Sequence, residues 1–146
     1  MSHFTFTLES LLQLRLRAEQ QCQRDLASAQ ARLAQIETQL RVLCAQVDRA
    51  AADLRNSLHN TPLNPLHLAT HARYQQSLAA ESSRLQDNLN QARRALDHAK
   101  SALKSAASQR KSLEKLRQRQ HEQFRLDHLK RERTTHDDLS TRITST

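Results

Sequence analysis

The chain contains no glycine and only two prolines, Pro62 and Pro65, in 146 residues. Glycine is the residue that admits left-handed backbone and close approach of main-chain amides to a ligand. Without it, the phosphate-cradling loops of nucleotide-binding sites have no residues to build them, which excludes a Walker-type site and a dinucleotide fingerprint. Aromatics amount to 3% and the hydrophobic fraction to 37%. That is too little bulky apolar volume for a broad globular core, so a narrow seam between helices is the economical way to bury it. No apolar run approaches the roughly 20 residues needed to span a bilayer, and Met1 to Leu14 lacks a basic flank followed by an apolar stretch. The expected compartment is the cytoplasm, with no direct membrane insertion.

What is abundant is positive charge and heptad pattern. The net charge is +8 and the pI about 10.5, which suits nucleic acid, an anionic membrane or an acidic protein surface alike. From Cys22 the apolar positions run Cys22, Leu26, Ala29, Leu33, Ile36, Leu40, Leu43, Val47, Ala50, Leu54, alternating steps of four and three, with Gln and Arg between them. This is the seam of a coiled coil. A second seam runs Leu85, Leu89, Ala92, Leu96, Ala99, Leu103, Ala106, Arg110, Leu113. Between them, His59 to Asn64 holds the only cluster of helix-breaking residues.

Folding the chain back between Pro62 and Leu63 sets seam against seam: Leu26 meets Ala99, Ala29 meets Leu96, Leu33 meets Ala92, Ile36 meets Leu89 and Leu40 meets Leu85. Large residues then face small ones in several layers, which lets a thin seam close without gaps. The expected fold is all-α, two long helices in a single antiparallel coiled-coil hairpin. The helices span about 8–58 and 66–133, the turn 59–65, and a Thr/Ser-rich tail frays over 134–146.

The same register exposes two irregularities. Arg15 faces Arg110 where an apolar layer belongs, and two guanidinium groups cannot be buried there unpaired. Glu19 is placed to neutralise one of them. The end either splays into solvent or is adapted to a partner. Near the turn, Val47 meets Leu78, but Leu43 faces Ser82 and Leu54 faces His71, so the seam loosens and Leu66, Leu68, Tyr74 and Leu78 are left to be covered. Leu8 lies opposite Arg117, so Gln118 to Arg133 overhang the first helix by about 24 Å. That segment carries Arg119, Arg125, Lys130, Arg131 and Arg133 against Glu122, Asp127 and Glu132. It is either a solvated helix face or a basic surface for a partner.

Little else in the chain carries chemistry. Cys22 and Cys44 stand about 33 Å apart on one helix, beyond disulfide reach, and read as small hydrophobes. His67 and His71 share a helical face with metal-ligand spacing, and His59 is near, but Asn56 to Gln76 holds neither cysteine nor carboxylate to complete a site. His121, His128 and His136 read as surface residues on a polar helix. Asp137 and Asp138, near a fraying end, lack the burial that tunes an acid or base. No enzyme, metal or cofactor is expected.

The termini carry a resemblance. Phe4, Phe6, Leu8, Glu9, Leu11, Leu12, Leu14, Arg15 and Glu19 resemble the F-x-F-x-L-E-x-L-L-x-L-R-x-x-x-E opening of the flagellar export protein family FliJ. Arg110, Lys111, Leu113, Glu114, Lys115, Leu116, Arg117 and Arg119 look like its R-K-x-L-E-K-L-R-x-R segment. Asp137, Asp138 and Leu139 are similar to its acidic closing motif, and Tyr74 with Leu78 loosely matches a tyrosine-containing segment. The resemblance implies a central stalk, similar in shape to the gamma subunit of rotary ATPases, whose paired helix termini enter the pore of the hexameric flagellar export ATPase. Arg15, Arg110, Arg117, Arg119, Arg125 and Arg131 would face that ATPase. Tyr74 and Leu78 would engage the cytoplasmic domain of the export gate protein FlhA, and the protein would assist export chaperones. The chain would then sit at the cytoplasmic face of the inner membrane through the export apparatus. An equivalent stalk of a virulence type III secretion system, the YscO family, is the nearest alternative. A basic nucleic-acid-binding coiled coil is disfavoured, because stacking aromatics are scarce and the basic segment follows an antiparallel seam instead of preceding a parallel one.

Overall fold

The structure is a computed structural model that describes residues 3–60, 62 and 64–144, with side chains described as far as residue 138. Two helices pack against each other as an all-α hairpin: α1, Glu9–Asn60, of 52 residues, and α2, Pro65–Thr144, of 80 residues. Among the described residues there is no strand, and none has a positive φ. That agrees with a chain built without glycine.

The helix boundaries follow local chemistry. Glu9 stands in the first turn of α1, where a carboxylate complements the helix dipole, and its amide donates to the Phe6 carbonyl at 3.1 Å. Asn64 caps α2: its Oδ1 accepts from the Leu66 amide at 3.0 Å and its carbonyl from the Leu68 amide at 3.1 Å. Pro65 follows at the first helical position, where its missing N–H costs nothing. The reversal therefore falls between Asn60 and Pro65, shorter than the span 59–65 read from the sequence, with Thr61 and Leu63 outside the described residues.

The C-terminal boundary departs from expectation. The Thr/Ser-rich tail was expected to fray from residue 134, yet α2 runs to Thr144. Thr134 Oγ1 donates to the Lys130 and Arg131 carbonyls at 3.0 and 2.9 Å, and Thr135 Oγ1 to the Arg131 carbonyl at 2.6 Å. Hydroxyls that bond back one turn are compatible with a helix, so Thr content alone was a poor stop signal.

By backbone proximity the chain divides into two compact units, Met1–Cys22 with Leu103–Thr146, and Gln23–Ala102. In the turn-bearing unit Ile36, Leu43, Ala50, Leu78, Leu85, Ala92 and Ala99 are buried, and Leu26, Leu33, Leu40, Leu89 and Leu96 are half-buried. Leu43, Ala50, Leu78 and Leu85 form one cluster with Leu40 packed against it. Each such leucine contributes roughly 1.5 to 3 kcal/mol on burial. In the terminal unit Phe6 and Leu12 are buried, at 8% and 2% exposure, and Leu11, Leu16, Leu103 and Leu113 are half-buried.

Two details of the sequence register are corrected in the turn-bearing unit. Val47, set opposite Leu78 by the register, does not complete a closed layer, since it is 41% exposed. Leu43, set opposite Ser82 by the register, does not mark a loosened seam: it is buried in one cluster with Leu78 and Leu85, which lie one turn to either side of Ser82 on α2. A coiled-coil knob fits a hole between facing residues and does not sit on top of one residue, so a leucine opposite a serine can still be enclosed.

Candidate functional site

The terminal unit builds its surface on interhelix polar contacts. Arg110 of α2 donates from Nε to Glu19 Oε2 and from Nη2 to Glu19 Oε1 of α1, the latter at 3.5 Å, and its Nη1 reaches Glu114 Oε2 at 2.7 Å. Those hydrogen bonds, Glu19 first and Glu114 second, hold the Arg110 guanidinium above its ordinary range. Arg15 turns aside and donates from Nη1 to Gln109 Oε1 at 2.7 Å, while Arg117 Nε lies 3.5 Å from Glu9 Oε2. The two arginines that the sequence set face to face are thus each partnered. This end is not splayed: Leu12 and Phe6, nearer the terminus than Arg15, are among the buried residues.

The residues before α1 extend the pairing. The Phe4 ring packs edge-on against His121, centroids 5.1 Å apart, and lies tilted 5.7 Å from Phe124. Phe124 in turn lies 6.2 Å from the His128 ring, and His128 Nδ1 is 3.3 Å from Glu132 Oε1. α2 passes the start of α1 at Glu9 close to Gln118, as the register has it, but the stretch beyond is not bare: the residues before α1 cover it as far as Phe124. Sequence reasoning missed this contact, although Phe4 and His121 satisfy the same register that pairs the seams.

On this framework α2 displays basic side chains. Arg119, Arg125 and Arg131 are exposed, and among the described residues no ion pair joins any of them to a carboxylate. Lys115, Lys130 and Arg133 are exposed on the same helix. Leu116, Leu126 and Leu129 are interleaved, at 36%, 48% and 46% exposure.

The two gate-binding candidates separate. Tyr74 is 47% exposed and available to a partner, whereas Leu78, at 5%, belongs to the hairpin's own core with Leu43, Ala50 and Leu85. Leu78 is corrected from a surface anchor to a packing residue. More apolar surface lies nearer the turn: Leu66 is 75% exposed, Leu58 48% and Leu68 38%. Leu54, Leu58, Pro62, His67 and Leu68 line a groove there. His71 carries a buried Nε2 with no hydrogen-bond partner. Among the described residues no three His, Cys, Asp or Glu side chains gather as a metal set, and Cys22 and Cys44 are free thiols. No helix among them is long and apolar enough to cross a membrane.

The molecule is a helical hairpin, and among the described residues no charged side chain is buried. The family described as Flagellar FliJ protein matches residues 4–146, and the chain belongs to that family. It is a component of the flagellar export machinery on that ground. No curated protein and no solved structure matches it.

Proposed function

We propose that the chain is a non-enzymatic central stalk of flagellar type III export, coupling the hexameric export ATPase to the export gate protein FlhA and assisting export chaperones. The observation that carries the ATPase half is the unpaired positive charge on α2, whose three arginines project to different sides around the helix. Arg119, Arg125 and Arg131 stand exposed on a helix that Phe4, the Arg110–Glu19 pair and the buried Leu12 hold in place. A ring with an acidic lining would attract a helix charged on all sides at long range without locking it, because complementary potentials steer association more than they fix it. Rotation or sliding of the helix in the ring stays possible. Attachment to the inner membrane follows from the export apparatus and not from the chain itself.

The non-enzymatic reading rests on the same surface. Among the described residues no charged side chain is buried, and burial is what ordinarily tunes a catalytic acid, base or nucleophile.

The test is charge reversal at Arg119, Arg125 and Arg131 together, to glutamate, with co-sedimentation of the export ATPase as readout. The variant keeps the helicity of the wild type and loses at least about tenfold in ATPase affinity, the loss shrinking as salt rises. Unchanged co-sedimentation of the folded variant at low salt would sink the ATPase assignment of these arginines.

A further inference from the structure

Past Phe124, which the residues before α1 cover, α2 runs on for about five turns to Thr144. A helix of that length standing alone in water is marginal, and packing of one face is what ordinarily holds it. This stretch is not polar all round: Leu126 and Leu129 are 48% and 46% exposed. Stepping outward from them by three and four gives Arg119, Glu122, Leu126, Leu129, Arg133 and His136, a single stripe with the spacing of a coiled-coil seam. At 100° per residue the stripe lies on the side of α2 away from His121 and Phe124, against which the Phe4 ring packs.

The stripe is its own complement when two are laid in opposite directions. The register that sets Leu126 against Leu129 also sets Glu122 against Arg133, and both charged side chains are exposed and, among the described residues, in no ion pair. The charge is balanced as well. Gln118 to Asp138 holds five cations and five carboxylates, in a chain whose net charge is +8, so two copies meet here without net repulsion. Leu129, Glu132, Arg133, His136 and Asp137 line a groove. The first four stand at i, i+3, i+4 and i+7, the set that forms the hole for a knob from a facing helix.

We infer that this stripe pairs with the same stripe of a second copy of the chain, antiparallel, about a two-fold axis between Asp127 and His128. Leu126 of each copy packs on Leu129 of the other, and Glu122 of each reaches Arg133 of the other over the groove. Such an interface is isologous, the same patch used twice. Its apolar centre is small, so the dimer is weak, with a Kd on the order of 100 µM. The pairing needs neither the ATPase nor the gate.

Analytical ultracentrifugation of the full chain from about 10 µM to about 1 mM tests it, against a monomer mass of 16.8 kDa. The wild type rises towards twice that mass with concentration, while Leu126→Ser with Leu129→Ser stays a monomer and keeps the melting of the hairpin, since both positions are exposed. Glu122→Arg alone and Arg133→Glu alone each set like charges opposite one another in the dimer and weaken it by at least about tenfold. An equimolar mixture of those two variants recovers the dimer, because each chain offers the charge the other lacks, which no folding defect in either would allow. A wild type that remains at the monomer mass at the highest concentration overturns the self-association. Association unchanged by the leucine substitutions overturns the stripe. Single charge variants that associate like the wild type, or a mixture no better than its components, overturn the antiparallel register.

Discussion

Arg110 on α2 closes on Glu19 of α1 through two of its nitrogens, and with its third it holds Glu114 on its own helix. A guanidinium fork gripping a carboxylate across a helix interface fixes direction and register together, which an apolar layer of leucines does poorly, since leucines slide past one another at little cost. The pair sits in the heptad position where the seam of α2 reaches Arg110, so it replaces an apolar layer instead of decorating the rim.

Glu19 and Arg110 are therefore coupled. A double-mutant cycle with Glu19→Gln and Arg110→Gln, followed by thermal or urea melting, gives single substitutions that each lower stability and a double substitution less damaging than their sum. Additive effects would show that the contact contributes nothing beyond its two side chains. The raised Arg110 value adds stability that is fully present below the ordinary guanidinium range and is lost only as pH rises through the still higher folded value. Deprotonation of Arg110 thus plays no part in pH dependence near neutrality.

A second prediction concerns the corrected register. Leu43, at 4% exposure, shares a cluster with Leu78 and Leu85, whereas Val47, one turn on, is 41% exposed. Leu43→Ala should cost about 2 to 4 kcal/mol through lost burial and the cavity left behind, and Val47→Ala less than about 1 kcal/mol. Chemical denaturation of the two variants checks the difference. Equal costs would restore a closed layer of Val47 with Leu78.

Much of this was legible because a heptad repeat declares its buried face. Leu26, Leu33, Ile36 and Leu40 of α1, with Leu85, Leu89, Leu96 and Leu103 of α2, were named from spacing and are all buried or half-buried. The basic character of Arg119, Arg125 and Arg131 was equally plain from composition. The pairing of Arg15 with Gln109 was not, because a long flexible side chain chooses among partners by rotamer, which sequence spacing does not encode. The burial of Leu78 was half legible, since the register set it in a layer with Val47 but names the residue opposite and not the hole that Leu43, Ala50 and Leu85 make around it. The turn groove depends on how Asn64 and Pro65 start α2, a matter of local geometry between two helices and not of either repeat.

The last prediction isolates the segment before α1. Phe4 reaches His121 and Phe124 from outside any helix, and Phe6, two residues on, is buried at 8% exposure while the Glu9 amide bonds back to its carbonyl. The segment is thus fastened at three points: an aromatic contact, a buried ring and a backbone bond that starts α1. Phe4→Ala removes only the first, and an aromatic contact of this geometry is worth about 0.5 to 1.5 kcal/mol beyond its buried area. Global melting should shift little, because Leu12 and the Arg110 pair remain. Amide exchange should change locally, with protection falling over the first turn of α1 and around Phe124 while Leu43 and Leu85 keep theirs. Phe4→Leu, which restores apolar area without the ring, recovers part of the protection, and His121→Ala reproduces part of the loss from the other side. Unchanged exchange at Phe124 in Phe4→Ala would show that the segment does not cover α2 in solution, and the uncovered stretch of α2 would begin where the sequence register first set it, at Gln118.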